Sequence, residues 1–182
     1  MGNEIEIRDR AHETNTEKAW DLEGASLPFR ARPEPELFSS REVTIQFRGP
    51  ALKCDALREP RGVAELVRKI LRDDSKEHFL AIYLDARHRP LAHSVVSIGT
   101  ATASLVHPRE VFQPALHLGA VALIVAHNHP SGDPRPSGED KAVTSRLGEV
   151  GKLLGVTLVD SVIVTREGEY HSFRESNPGD FV

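Results

Sequence analysis

Apolar residues recur along the chain with two different periods, and the switch between the periods outlines the elements. Val43, Ile45 and Phe47 hold alternate positions of Glu42 to Phe47, the spacing of a half-buried strand, and a Gly49-Pro50 breaker follows. Past Pro60, the residues Val63, Ala64, Leu66, Val67, Ile70 and Leu71 keep the 3.6-residue spacing of an amphipathic helix, with proline in its favoured place near the start. Glu77 to Leu84 is mostly apolar and predicts a central strand. Asp85 to Pro90 turns the chain, and Leu91 to Ile98 returns as the hairpin partner. Pro108 to Leu118 carries Val111, Phe112, Ala115 and Leu116 at helical spacing and stops at Gly119, with Pro114 placed to bend or delay the helix.

Ala120 to Ala126 is apolar without alternation, which predicts a strand covered on both faces. Val143, Leu147, Val150 and Leu154 then recur at i, i+4, i+7 and i+11, a helix that begins at an N-cap on Ser137 and ends at Gly155. Three short strands follow, Val156 to Val159, Ser161 to Thr165 and Tyr170 to Phe173, with Glu167-Gly168 turning between the last two. Strands alternating with helices, plus hairpins, predict an α/β domain over residues 41–175, a mixed sheet between helices, with a short tail at 176–182. The first forty residues are polar and acidic, carry Pro28, Pro33 and Pro35, and read as a disordered tail. Trp20, Leu22, Leu27 and Phe29 are the apolar exceptions in it, a docking segment for a partner or a stretch that packs back onto the domain.

Composition narrows the classes without choosing one. The chain of 182 residues is long enough for one domain with its own core, and 39% hydrophobic with 27% charged residues is ordinary globular usage. A net charge of −4 gives nucleic acid no basic field to follow. Cys54, the only cysteine, excludes an intrachain disulfide and a cysteine-based zinc cluster and fits a reducing compartment. The N-terminus has no signal-peptide pattern, and nowhere do about eighteen apolar residues run together, so a cytoplasmic chain outside the membrane is expected.

The candidate chemistry lies in the stretch from His127 to Asp140, between the apolar strand and the helix that follows it. Two histidines separated by one residue point to the same side of an extended chain. Asp140, at the start of the next helix, can bring a carboxylate beside both imidazoles. Two nitrogens and one oxygen leave a fourth position for water, the layout of a catalytic zinc site, and zinc lowers the pKa of such a water to about 7. Hydrolysis is the natural reaction. The plainer alternative is a pair of solvated or hydrogen-bonded histidines in a polar loop. His12, His78, His88, His93, His107, His117 and His171 lack a ligand spacing.

His127-x-His129, seven residues, Ser137, two residues and Asp140 resembles the JAMM (MPN-plus) metalloprotease signature. The fuller string His-Asn-His-Pro-Ser-Gly-Asp-Pro-x-Pro-Ser-x-x-Asp resembles the RadC branch of that family, and the likeness runs from about Val43 through Phe173, including Pro108 to Phe112. The resemblance implies a cytidine-deaminase-like JAB/MPN fold and a zinc-dependent peptidase or isopeptidase acting on a peptide or protein-conjugate substrate. Residue by residue, it implies His127, His129 and Asp140 as ligands of Zn2+ and Ser137 as hydroxyl donor to the developing oxyanion. It also implies a glutamate that moves the proton of the attacking water, for which Glu77 at the head of its strand is chosen, with Glu110 as rival.

Each assignment has a plainer counterpart. Ser137 is also a helix N-cap with Asp140 completing a capping box, and Glu77 a solvated strand-end carboxylate. Ser131 and Asp133 read as turn chemistry beside Gly132 and Pro134. A nucleobase deaminase would share the implied fold but needs a Pro-Cys-x-x-Cys pair, which one cysteine excludes. HNH nucleases disperse their named residues instead of placing them side by side. The RadC family carries the name of DNA-repair factors, so a repair- or recombination-associated protein that acts on or binds DNA stays open as the alternative, although charge gives it no support and the first forty residues read as too few and too polar for the helix-hairpin-helix segment of longer relatives. A non-catalytic JAB-fold interaction module would dispense with the ligand set that is present here.

Overall fold

Proline sets the start of the first helix. In α1 (Pro60–Ile70) the missing proline N–H is one that no carbonyl would have accepted, and Val63, Ala64, Leu66 and Val67 form the buried face. The computed structural model describes residues 54–71, 75–99 and 106–181. The tail to residue 40 and the strand expected at Glu42 to Phe47 lie outside the described residues. β1 (Glu77–Leu84) and β2 (Pro90–Gly99) make the expected antiparallel hairpin, the turn held by Asp85 Oδ1, which accepts from the N–H groups of Arg87 and Arg89.

α2 (Pro108–Leu118) runs through Pro114, which leaves the Glu110 carbonyl without the N–H that an interior helix position would otherwise donate to it. It stops on Gly119, whose φ of 62° is the left-handed cap anticipated from the sequence. β3 (Ala122–Asn128) follows, then α3 (Gly138–Leu154), which stops the same way on Gly155. The chain closes with β4 (Thr157–Val164), β5 (Tyr170–Ser172), the short α4 (Phe173–Ser176) and a 3-10 turn at Pro178–Asp180.

The five strands form one mixed sheet in the order β2-β1-β3-β4-β5. β3 and β4 are parallel and the other neighbours antiparallel. Period-two alternation divides the core between the two faces. On β1, Phe79, Ala81 and Tyr83 join the cluster that contains Val111 and Phe112 of α2 and Val143 and Leu147 of α3. Leu80, Ile82 and Leu84 join the opposite cluster, with Val63 and Val67 of α1. The result is an α/β sandwich, as the pattern predicts, with α1 on one face and α2 and α3 on the other. β3 is buried along its whole length. No helix among the described residues is long and apolar enough to cross a membrane.

Three boundaries differ from the sequence reading. The strands expected at Val156 to Val159 and Ser161 to Thr165 are a single strand, β4. Asp160, which looked like an interruption, is buried in the middle of it and satisfied internally: its carboxylate accepts from the N–H groups of Ser161 and Arg174 and from the Ser172 hydroxyl. β3 begins and ends two residues later than the apolar run, since pairing with β1 and β4 carries the strand on through polar residues. The last strand stops at Ser172, whose hydroxyl accepts from the Glu175 N–H and starts α4, so Phe173 belongs to the helix.

Candidate metal centre

Three elements meet at the end of β3. His127 is fully buried there, paired with Phe79 on β1 and Ile163 on β4. Its imidazole stacks on the Phe79 ring, with centroids 5.8 Å apart and planes 15° from parallel. His127 Nδ1 is buried without a hydrogen-bond partner among the described residues. His129 lies just past the strand, yet its N–H still donates to the Val164 carbonyl, which preserves the extended alternation for one more residue. The two Nε2 atoms consequently stand 3.1 Å apart. His129 Nδ1 is 2.7 Å from the Asp133 carbonyl, and a carbonyl can only accept. Nδ1 therefore carries a proton, and Nε2 is the atom turned to the centre, the orientation found where histidine binds a metal.

Asp140 reaches the same point from the first turn of α3. Its Oδ2 accepts the Ser137 N–H at 2.7 Å and the Ser137 hydroxyl at 2.6 Å, while its own N–H donates to Ser137 Oγ. This is the capping box expected of the pair. Oδ1 is left to face His127 Nε2 at 3.0 Å, and Oδ2 is 3.6 Å from His129 Nε2. Burial alone would raise the Asp140 pKa, but the imidazoles of His127 and His129 and the Ser137 hydroxyl outweigh it and hold the carboxyl well below the usual range. The Asp140 carboxylate in turn raises His129 against its partial burial, with help from the Asp133 carbonyl. A field that favours protonated imidazole favours any cation at this point.

Glu77 opens β1, two residues before the Phe79 that pairs with His127, and its Oε1 comes to 3.9 Å from His127 Nε2. Glu77, His127, His129 and Asp140 each offer one ligand atom, and these four atoms lie within 4.8 Å of one another. Nitrogen and oxygen ligands arranged tetrahedrally around a zinc-sized ion stand about 3.3 Å apart. The three distances among His127, His129 and Asp140 bracket that value, and Glu77 stands farther out, so the donor set fits a metal ion with the glutamate beside it. Next to Glu77 opens a cleft of about 460 Å³, lined by Ser75, Lys76, Glu77, Ile98, Gly99 and Pro130.

All five residues singled out in the sequence, Glu77, His127, His129, Ser137 and Asp140, are brought together here. The rival Glu110 is exposed in the first turn of α2 and is not in the cluster, and Glu139 is likewise exposed. Ser131 and Asp133 support the loop: Ser131 Oγ accepts from the Asp133 N–H, and the Asp133 carboxylate binds the N–H and the guanidinium of Arg135. Sequence reasoning passed over two residues that shape the centre, Phe79 and Asn128. Asn128 was visible between the histidines, but what it and Phe79 touch depends on the register of β1 against β3, which no local pattern carries.

A family model described as the RadC-like JAB domain matches residues 57–178. A UPF0758 protein of Syntrophotalea carbinolica is 45% identical over 134 residues, 73% of this chain and 59% of the relative. One from Methanosarcina mazei is 47% identical over 116 residues, 64% of this chain and 50% of the relative. Another, from Methanococcoides burtonii, is 45% identical over 149 residues, 81% of this chain and 63% of the relative. The chain thus spans between half and two thirds of the length of these relatives.

Proposed function

The chain belongs to the RadC-like JAB domain family, and from that premise we propose that it is a zinc-dependent hydrolase that cleaves a peptide or isopeptide bond. The observation that carries this reading is the convergence of two imidazole nitrogens and two carboxylates, from β1, β3 and the start of α3, on one point within 4.8 Å. The mixed sheet between helices is the architecture expected of JAB/MPN domains.

In this reading His127, His129 and Asp140 hold the ion. Zinc bound there supplies Lewis acidity, which makes water a competent nucleophile at neutral pH. Glu77 Oε1 takes the proton of the attacking water and passes it to the leaving nitrogen, so that the amine departs neutral. Its partial exposure beside the cleft gives substrate and water a way to the carboxylate. The Ser137 hydroxyl donates to Asp140 Oδ2 at rest. Turned to the substrate oxygen, it stabilises charge that develops only as the bond breaks. The Asp140 carboxylate retains the Ser137 N–H in that state, so the helix cap persists through the reaction.

The test is metal analysis combined with hydrolysis of an internally quenched peptide library. Protein purified without chelator is expected to carry one zinc per chain, His127→Ala to lose it, and Glu77→Gln to keep it while losing hydrolysis. Unchanged metal content in His127→Ala would remove the site, and full activity in Glu77→Gln would move the proton shuttle elsewhere.

A further inference from the structure

Asn128 stands between the two histidines, buried, and takes no part in the donor set. Alternation along the strand turns its side chain away from theirs. The pairing of β3 with β1 ends at His127 opposite Phe79. Beyond that point the backbone of β3 stays with β4, through the His129 N–H on the Val164 carbonyl, and the start of β1 loses its neighbour on that side. The Asn128 carboxamide takes the place of the missing backbone. Its Oδ1 accepts the His78 N–H at 2.8 Å, and its Nδ2 donates to the Lys76 carbonyl at 3.0 Å. An N–H can only donate and a carbonyl only accept, so the amide fits in one orientation. The two groups it grips belong to the residues immediately before and after Glu77.

We propose that Asn128 is the positioning residue for Glu77: its carboxamide clamps the backbone on both sides of the glutamate and so sets the distance from that carboxylate to the imidazoles. β3 pairs with both β1 and β4 as far as His127, and past it only the pairing with β4 continues. A side-chain substitute lets β3 leave β1 while Glu77 remains in register with it. The same residue that spaces the histidines thereby ties the carboxylate to them, through bonds that involve no metal. The catalytic consequence rests on Glu77 being the proton shuttle; the positional claim does not.

Two variants of the full chain separate the halves of the clamp. Asn128→Ala removes both bonds, and Asn128→Asp keeps an acceptor for His78 but offers no donor to Lys76. Hydrogen exchange followed by NMR is expected to speed up on the order of tenfold at the His78 amide in Asn128→Ala, with Ile82 and Val125 unchanged and with His78 still protected in Asn128→Asp. Crystal structures of both variants should show the Glu77 carboxylate moved from its 3.9 Å separation from His127 Nε2. Zinc content should match the wild type. With the library peptide that the wild type cleaves fastest, kcat is expected to fall on the order of a hundredfold at unchanged KM, and adding Asn128→Ala to Glu77→Gln should lower it no further. An unmoved Glu77 in both variants, or exchange accelerated equally at Ile82 and His78, would overturn the proposal. A wild type that cleaves no peptide would sink the hydrolase reading instead, and the crystallographic and exchange results would still decide the role of Asn128.

Discussion

The two oxygens of Asp140 do different work, and that division ties the start of α3 to the candidate metal centre. Oδ2 accepts both bonds from Ser137 and closes the helix cap, while Oδ1 faces His127 at 3.0 Å. Capping by Ser137 and the catalytic role proposed for it can therefore be separated. Glycine is nearly as good an N-cap as serine, so Ser137→Gly is expected to cost only a few tenths of a kcal/mol of stability. The loss of its hydroxyl should lower hydrolysis on the order of a hundredfold or more. Chemical unfolding measured beside library cleavage checks this, and a rate that falls only as far as stability does would leave Ser137 a cap alone. The Asp133 side chain never touches the donor set, but its bonds to Arg135 shape the loop whose carbonyl fixes the His129 tautomer. Asp133→Ala is expected to weaken zinc binding on the order of tenfold with the fold intact, as read by competition with a chromophoric chelator; equal affinity would show that the loop holds its shape without the carboxylate. The meeting of four of the five site residues was legible in the sequence because each obeys a local rule: alternation brings the histidines together, and the spacing of a helix start brings Ser137 to Asp140. Glu77 obeys none, and only the family resemblance pointed to it. Phe79 and Asn128 obey no such rule.

At the scale of elements, β4 shows what local pattern misses. A charged residue inside an apolar run reads as a break, yet Asp160 continues the strand and binds it to β5 and α4 through Ser172 and the Arg174 N–H. Burial pushes the Asp160 carboxyl above its ordinary value, and the bonds from Ser172, Arg174 and Ser161 offset this only in part. A carboxyl raised on folding leaves the native state holding more protons than the unfolded chain between the two pKa values. Its contribution therefore falls as pH rises through that window, from the unfolded value near 4 upward, and stays low above it. Asp160→Asn keeps an acceptor for both N–H groups and removes the titration. The stability of the variant relative to the wild type should thus rise with pH from about 4, and urea unfolding at a series of pH values measures it. Parallel profiles would mean that Asp160 titrates alike in both states. The end of α3 carries a second constraint hidden from periodicity: a Cβ on Gly151 would stand 2.5 Å from the Val156 carbonyl oxygen and 3.3 Å from Phe112 Cζ. Gly151→Ala is expected to destabilise the protein by about 1–3 kcal/mol, and a melting temperature equal to the wild type would show that the helix end can shift to make room. The types of the longer elements were readable because burial imposes periods 2 and 3.6, whereas the continuity of β4 and the short α4 were not. The places where polar residues are satisfied by distant partners were not.

At the scale of the whole molecule, the placement of the donor set decides how folding and metal binding are linked. Glu77, His127, His129 and Asp140 belong to neither apolar cluster, and those clusters line both faces of the sheet from Phe79 to Leu84 on β1 and from Ala122 to Ala126 on β3. The core is therefore assembled without the ion, unlike a small zinc domain whose ligands are most of its interior. Within the described residues, the protein should stay folded without the ion, since the apolar clusters do not depend on it. On the proposed function zinc would bind only the native arrangement, because β1, β3 and α3 meet only in it, and would stabilise by mass action, by about 4 kcal/mol at a thousand times its dissociation constant. Scanning calorimetry across a series of free zinc concentrations should show a melting temperature that rises with the logarithm of zinc in the wild type. The same scan should be flat in His127→Ala, and chelator should return the wild type to a lower but still cooperative transition. Loss of the cooperative transition on chelation would mean that the ion organises the sheet itself. A wild-type transition indifferent to zinc would mean that the convergence of the three elements is a hydrogen-bonded corner and nothing more.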